Sequence, residues 1–179
     1  MSRVFVTGAA RSGKSHWAEQ RAAGAGLPVT YVATGPAPSP DDPEWAERVA
    51  AHRRRRPASW TTVETLDLGP LLARTDTILL VDCLTLWLTE AMSRCDVWDA
   101  PTGSEPWQRL ASWTDRLVEA WSAASAPAIA VTNETGWGVV PAHRMGRLFR
   151  DELGTLNRRI AAVSDEAWLV VAGIPMQLK

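Results

Sequence analysis

Eight residues near the start of the chain, Gly8-Ala9-Ala10-Arg11-Ser12-Gly13-Lys14-Ser15, fit the pattern G-x-x-x-x-G-K-[ST] in full. A loop of this spacing constrains the fold on both sides. Its backbone N–H groups must converge on phosphate oxygens, and a helix must open directly behind it to aim a positive end at the anion. The flanks comply: Arg3–Thr7 reads as a short buried strand, and a helix is expected from about Lys14 to Ala23. Composition singles out the same place, because nearly all the positive charge is arginine and the only lysines are Lys14 and the C-terminal Lys179. In such a loop the lysine reaches the β- and γ-phosphates and the Ser15 hydroxyl ligates Mg²⁺.

Strands and helices alternate along the rest of the chain. Pro28–Ala33 is rich in β-formers, Trp60–Glu64 and Thr77–Val81 read as further strands, and Ala128–Thr132 and Ala167–Ala172 complete the series. Ile174–Leu178 is a candidate antiparallel partner at the end, after a turn at Gly173-Ile174-Pro175. Between them, Asp41-Asp42-Pro43-Glu44 is a helix start with acidic caps and proline in the first turn; that helix ends in Arg53-Arg54-Arg55-Arg56 and stops at Pro57. Helices are also expected over Pro106–Ala124 and from Pro141, the latter presenting Met145, Phe149, Leu153, Leu156, Ile160 and Val163 on one face. The 94–105 stretch reads as loop. This order predicts an α/β fold, a mostly parallel sheet flanked by helices, in one domain over residues 1–179.

A formal net charge of -1 argues against nonspecific nucleic-acid coating. The longest apolar runs fall far short of the ~20 residues that span a bilayer, and the N-terminus shows no signal-peptide pattern. Two cysteines, Cys83 and Cys95, are too few for a secreted disulfide framework. A cytoplasmic protein without membrane insertion is expected.

A nucleotide site needs an acid at the end of a second strand, and Ile78-Leu79-Leu80-Val81-Asp82 supplies one that holds Mg²⁺ directly or through water. His52, just ahead of Arg53–Arg56, allows three readings: a solvated basic helix end, a nucleic-acid patch, or a phosphate-handling site in which imidazole attacks phosphorus among guanidiniums. His16 is expected to pack or hydrogen-bond locally, and His143 to lie on the surface. Thr132-Asn133-Glu134-Thr135-Gly136-Trp137-Gly138 is either a second-substrate loop or a plain strand-to-helix turn. No zinc spacing and no nucleophile-elbow serine motif occur.

Further blocks carry a resemblance. With the loop go Tyr31-Val32-Ala33-Thr34, the helix into His52 with Arg56-Pro57-Ala58-x-Trp60, and Val81-Asp82-Cys83-Leu84-Thr85-Leu86-Trp87-Leu88. Then come Thr132-Asn133-Glu134, Gly136-x-Gly138-x-Val140-Pro141, Arg150-Asp151, Leu156-Asn157-x-Arg159 and Glu166–Gly173. Together they resemble the bifunctional adenosylcobinamide kinase / adenosylcobinamide-phosphate guanylyltransferase family of cobalamin biosynthesis. The resemblance implies a RecA-like P-loop fold and a homotrimer. It implies phosphorylation of adenosylcobinamide by a nucleoside triphosphate, ATP or GTP, followed by transfer of GMP from GTP through a covalent histidine–GMP intermediate to give adenosylcobinamide-GDP and pyrophosphate. On this chain the nucleotidylated histidine falls on His52. Nucleotide contacts fall on Gly8 to Ser15, on Thr34, Gly35 and Pro36, on Arg53, Arg54, Arg55 and Arg56, and on Glu64 and Asp82. Ala9 stands where the family commonly has a second glycine, which requires a negative φ there. The alternatives are a P-loop small-molecule kinase without nucleotidyl transfer and a GTP-binding regulatory protein.

Overall fold

Side-chain alternation along the strands decides the architecture. In the computed structural model, which describes residues 2–74 and 76–179, the elements are β1 (Arg3–Thr7), α1 (Lys14–Ala23), β2 (Val29–Ala33), α2 (Pro43–Arg55), β3 (Thr61–Glu64), α3 (Gly69–Leu72), β4 (Ile78–Asp82), α4 (Leu84–Arg94), α5 (Glu105–Ser122), β5 (Ala128–Val131), α6 (Arg144–Val163), β6 (Glu166–Val171) and β7 (Ile174–Gln177). Phe5, Val32, Leu79, Val81, Ala128, Ala130 and Ala167 point to one side, where α4, α5 and α6 supply Leu88, Met92, Leu110, Trp121, Leu153 and Ile160. Their neighbours Val4, Val6, Tyr31, Leu80, Ile129 and Val131 point to the other, against Ala18 and Ala22 of α1. A strand buried on both faces has no polar side, so these strands read as continuous apolar runs.

The sheet order is β3-β2-β4-β5-β1-β6-β7. All pairs are parallel except β6 with β7. The terminal hairpin turns on Ala172 and Gly173, whose φ values of 51° and 81° are both left-handed, as a two-residue turn of the primed type needs. The turn thus sits one residue earlier than expected, and Pro175 falls within the edge strand, where its missing N–H is tolerated.

Three further boundaries differ. The stretch after Asp82 forms helix α4, and Gly69–Leu72 forms the short α3, neither of which was expected. Helix α6 opens at Arg144 with His143 as its N-cap, three residues beyond Pro141, because Arg147 donates to the carbonyls of Pro141 and Ala142 and holds that segment outside the helix. On its apolar face Leu153, Leu156 and Ile160 are buried while Met145 is exposed.

Parallel pairing aligns the strands' carboxyl ends. Ala33 is in register with both Glu64 and Asp82, and Asp82 with Val131. Residues that end β2, β3, β4 and β5 therefore meet along one edge, beside the loop that leaves β1. Ligands of open α/β sheets gather at this edge.

Candidate active site

The loop between β1 and α1 is shaped by close approach. A Cβ on Gly8 would lie 2.5 Å from the Val170 carbonyl oxygen, and one on Gly13, with φ 92°, would lie 3.1 Å from Gly173 Cα. Gly8 therefore lies hard against β6, and Gly13 needs both the space and the left-handed backbone that only glycine takes cheaply. Ala9 keeps a negative φ, so its methyl group is accommodated, and the left-handed position of the loop falls on Arg11 (φ 59°). The Ser12 hydroxyl is buried without a hydrogen-bond partner among the described residues, beside the cavity it lines.

Lys14 opens α1 and is only 8% exposed. Its ammonium donates to the Ala9 carbonyl at 3.2 Å. Desolvation lowers its pKa, an effect that Asp82 partly offsets. A buried cation held by a single carbonyl is a group waiting for anionic charge. One residue on, the Ser15 hydroxyl donates to Asp82 Oδ1 at 3.4 Å. Two hard oxygens side by side at the mouth of a phosphate loop are a donor set that fits Mg²⁺.

Strand ends complete this floor. Asp82 Oδ2 accepts from the Tyr31 hydroxyl at 3.1 Å. Burial raises the Tyr31 pKa, so the phenol stays a donor. Thr34 does not line the cavity but braces it from beneath: its hydroxyl donates to the Cys83 carbonyl at 2.7 Å and accepts from the Cys83 N–H at 3.2 Å. Cys83 is buried, which pushes its thiol up to about 11 and leaves it inert as a nucleophile at neutral pH.

Helix α2 roofs the cavity. Asp42 caps it by accepting from the Trp45 N–H at 2.9 Å, with Pro43 in the first turn. The helix buries no residue. What tethers it is polar: Arg53 to Glu64 at 2.9 Å, Arg55 to Glu19 at 3.1 Å, and the Arg56 guanidinium 3.7 Å above the Tyr31 ring. Trp45 adds a bond from Nε1 to the Pro36 carbonyl at 3.0 Å. An element held this way lies at the low-stability end of a fold and can shift without breaking the core.

His52 hangs from α2 into the cavity. Its Nδ1 lies 3.7 Å from Asp82 Oδ2 and 3.3 Å from an Arg55 nitrogen. Burial lowers its pKa, and Arg55 and Arg56 push the same way against the raising pull of Asp82 and Glu19. The net effect favours the neutral ring, the state in which imidazole is a nucleophile.

The cavity encloses about 1000 Å³ and is lined by loop residues, His52, Asp82, Arg53, Arg55 and Glu64 among others. Most of the expected site residues are brought together here. Ala10, Arg11, Ser12, Gly13, Lys14, Ser15, Gly35, Pro36, Arg53, Arg55, Arg56, Glu64, His52 and Asp82 all line it. Gly8 and Ala9 shape the loop from behind. Arg54 is turned away to Glu47 at 2.6 Å. His16, expected to pack locally, is exposed on the cavity rim, and His143 lies on the surface as expected.

Residues beyond the expected set join the site. Glu19 of α1 is 7% exposed, and one ligating atom each of Glu19, His52 and Asp82 lie within 4.8 Å of one another. No motif marks Glu19; its place on the helix face of Ser15, four residues earlier, is the signal that was available. The segment after β5 divides. Asn133 lines the cavity, with its N–H donating to Thr85 Oγ1 at 3.0 Å. Glu134 turns inward to accept from the Thr7 hydroxyl at 2.8 Å and from Asn157 Nδ2 at 3.3 Å. Gly136 and Gly138 instead give their carbonyls to Arg150.

Comparison with known proteins agrees with this geometry. The family model "Cobinamide kinase / cobinamide phosphate guanyltransferase" matches residues 4–178. A Pseudomonas aeruginosa protein named bifunctional adenosylcobalamin biosynthesis protein CobP is 44% identical over 181 residues, covering 99% of this chain and 97% of the relative. The Salmonella typhimurium protein named bifunctional adenosylcobalamin biosynthesis protein CobU is 37% identical over 191 residues, covering 98% and 99%. Among solved structures, a prototypical ATPase of a bacterial type III secretion system superposes with a TM-score of 0.61 at 12% identity, over 94% of this chain and 50% of that one. The type III secretion ATPase EscN of enteropathogenic E. coli superposes with a TM-score of 0.55 at 13% identity, over 96% and 43%. At such identity and about half the neighbours' length these likenesses speak for the fold alone, and they bear out the mostly parallel α/β P-loop fold expected from the sequence. A family model that runs almost from end to end, and relatives this similar along their whole length, leave one assignment: the chain belongs to the cobinamide kinase / cobinamide phosphate guanyltransferase family.

Proposed function

We propose that this chain carries out two successive transfers in the one cavity. In the first, a hydroxyl of adenosylcobinamide attacks the γ-phosphorus of ATP or GTP; the bond to the bridging oxygen breaks, the diphosphate leaves, and the hydroxyl proton is lost. In the second, His52 attacks the α-phosphorus of GTP and pyrophosphate leaves. The phosphate made in the first step then attacks the histidine–GMP bond, releasing adenosylcobinamide-GDP and a neutral imidazole. The observation that carries this reading is His52 placed 3.7 Å from the strand-end Asp82, inside the cavity of the phosphate loop.

Residues divide the work by charge. Lys14 and the backbone of Gly8, Ala9, Ala10, Arg11, Ser12, Gly13 and Ser15 hold triphosphate oxygens, with Arg53, Arg55 and Arg56 facing them from α2. Gly35, Pro36 and Glu64 border the nucleotide, with Thr34 bracing the floor beneath them and Arg54 turned outward to Glu47. Ser15 and Asp82 would hold Mg²⁺, which when bound neutralises charge on the phosphate oxygens. Since α2 buries nothing, it can carry His52 toward the α-phosphorus about the Pro/Gly-rich 34–40 segment.

The pH dependence follows from burial. A histidine with an ordinary pKa is still about a quarter protonated at pH 7. The lowered pKa of His52 shifts the balance there further toward the neutral form. The rate of enzyme guanylylation is therefore expected to rise with pH through a midpoint below that of an ordinary histidine and then to level off. A single-turnover pH–rate series checks this; a rise continuing through pH 7–8 would contradict it.

One chain over residues 1–179 suffices for both reactions in this reading, and the homotrimer implied by the resemblance belongs to it. Trp137, Val139, Val140 and Met145, 51–96% exposed in the monomer, are apolar surface available to such an assembly. Sedimentation should give three times the 19.6 kDa chain mass; a monomer at micromolar concentration would count against it. No helix among the described residues is long and apolar enough to cross a membrane. Cys83 and Cys95 are free and buried, which fits the cytoplasm.

The test of the whole reading is product analysis. Mg²⁺, GTP and adenosylcobinamide should yield first the phosphate and then adenosylcobinamide-GDP with pyrophosphate, resolved by mass. Phosphate as the only product would leave a plain kinase, and no product at all a nucleotide-binding regulator.

A further inference from the structure

The buried carboxylate of Glu19 has no place in the triphosphate contacts just assigned. It sits on α1 one turn beyond Ser15 and is 7% exposed. Taking a carboxylate out of water is costly unless it is paired. Its hydrogen-bond partner is Arg55, at 3.1 Å, and the same Arg55 nitrogen stands 3.3 Å from His52 Nδ1. Arg55 thus links Glu19 to the imidazole.

That link has a chemical consequence. A guanidinium can only donate, so Nδ1 accepts and the ring proton sits on Nε2. In this tautomer the lone pair of Nδ1 is occupied and Nε2 has none to offer. For Nε2 to attack phosphorus, the proton must move to Nδ1 and find an acceptor there, as an orienting carboxylate provides for a catalytic histidine. Asp82 Oδ2 also lies 3.7 Å from Nδ1, but this carboxylate already accepts from Tyr31 at 3.1 Å and Ser15 at 3.4 Å and is the one assigned with Ser15 to Mg²⁺. Among the described residues, the hydrogen-bond partner of Glu19 is Arg55 alone. Once the arginine turns to a triphosphate, the carboxylate is left with the imidazole beside it, in a group whose ligating atoms lie within 4.8 Å.

We propose that Glu19 is a positioning residue for guanylyl transfer: it parks Arg55 against His52 Nδ1 while the cavity is empty, and accepts the Nδ1–H hydrogen bond when Arg55 moves to the triphosphate. The inference rests on the covalent-histidine reading above. In the step it serves, the bond from Nε2 to the α-phosphorus forms, the bond from that phosphorus to the bridging oxygen breaks, and pyrophosphate leaves with the electron pair. The proton stays on Nδ1, so the guanylylated ring carries a positive charge. A buried carboxylate against that charge stabilises it as it develops.

The experiment compares wild type, H52A, E19Q and E19D by single-turnover labelling with Mg²⁺ and GTP labelled in the α-phosphate, alongside the kinase step and GTP affinity. Glutamine keeps the size and removes the charge. Labelling of E19Q is expected to slow roughly 10²-fold, the usual effect of deleting one preorganised contact to a developing charge. The loss should fall on the rate constant, with affinity and phosphorylation within about twofold of wild type. E19D, which keeps the buried charge and the pair with Arg55, is expected to regain part of the rate. Wild-type labelling in E19Q, an equal fall in the kinase step, or no recovery in E19D would each overturn the assignment of Glu19. An unlabelled wild type would overturn the covalent-histidine reading itself, and Glu19 with it.

Discussion

Lys14→Ala is expected to lower both reactions by about 10²–10³-fold, or roughly 3–4 kcal/mol of transition-state stabilisation, since one lysine serves the one phosphate loop. The fold should not suffer. Lys14 is 8% exposed, its ammonium is held by a single carbonyl, and burial already lowers its pKa, so the cation is a cost in the empty protein. Removing a buried, poorly compensated charge is neutral or stabilising. At ~2–4 °C per kcal/mol for a chain of this size, the melting temperature should hold or rise by a few degrees while activity collapses. Kinetics of both steps and a thermal melt on the same preparation check this. A variant that loses activity only through unfolding would show that Lys14 acts structurally.

His52→Ala separates the two reactions. Guanylyl transfer should fall below detection, because the other imidazole of this cavity, His16, lies exposed on its rim, while His52 is the one beside Asp82. Phosphorylation should stay within a few-fold of wild type, since Lys14, Ser15 and Asp82 are untouched. The substitution lies on a helix with no buried residue, and its stability effect should be within about 0.5 kcal/mol. Assaying adenosylcobinamide phosphorylation and GDP-product formation side by side checks it. Equal loss of both steps would make His52 part of a shared phosphate clamp.

The parts of this site differ in how far the sequence reveals them, and the reason is locality. The phosphate loop is wholly legible because its chemistry lies in eight consecutive residues between a strand and a helix. Asp82 is nearly so, since a strand end is a local event that parallel register then carries to the site. His52 is different. Spacing leaves three readings open, and only the family resemblance chooses, because the imidazole meets Asp82 by the folding of α2 over the sheet edge. Four consecutive arginines look like one cluster, yet successive residues on a helix diverge by about 100°. Arg53 goes to Glu64, Arg54 to Glu47, Arg55 to Glu19, and Arg56 over Tyr31.

Two misses have the same origin. Glu19 pairs with a residue 36 positions away, and its one local mark is its place four residues after Ser15 on the same helix face. Helix α4 hides because Leu84-Thr85-Leu86-Trp87-Leu88-Thr89 is a short, mostly apolar run that periodicity alone does not assign to strand or helix. Its buried set of Leu84, Trp87, Leu88, Ala91 and Met92 shows the helical spacing only when the window extends past Glu90.

The central claim is that one cavity holds both a phosphate loop and a histidine that takes GMP covalently. The most direct measurement is to incubate the wild-type protein and H52A with Mg²⁺ and GTP labelled in the α-phosphate, denature them, and locate the label by peptide mass analysis. The account predicts acid-labile, base-stable label on the wild type, on the peptide carrying His52, and none on H52A. Wild-type protein that binds GTP yet carries no label, or label that persists in H52A, would contradict it.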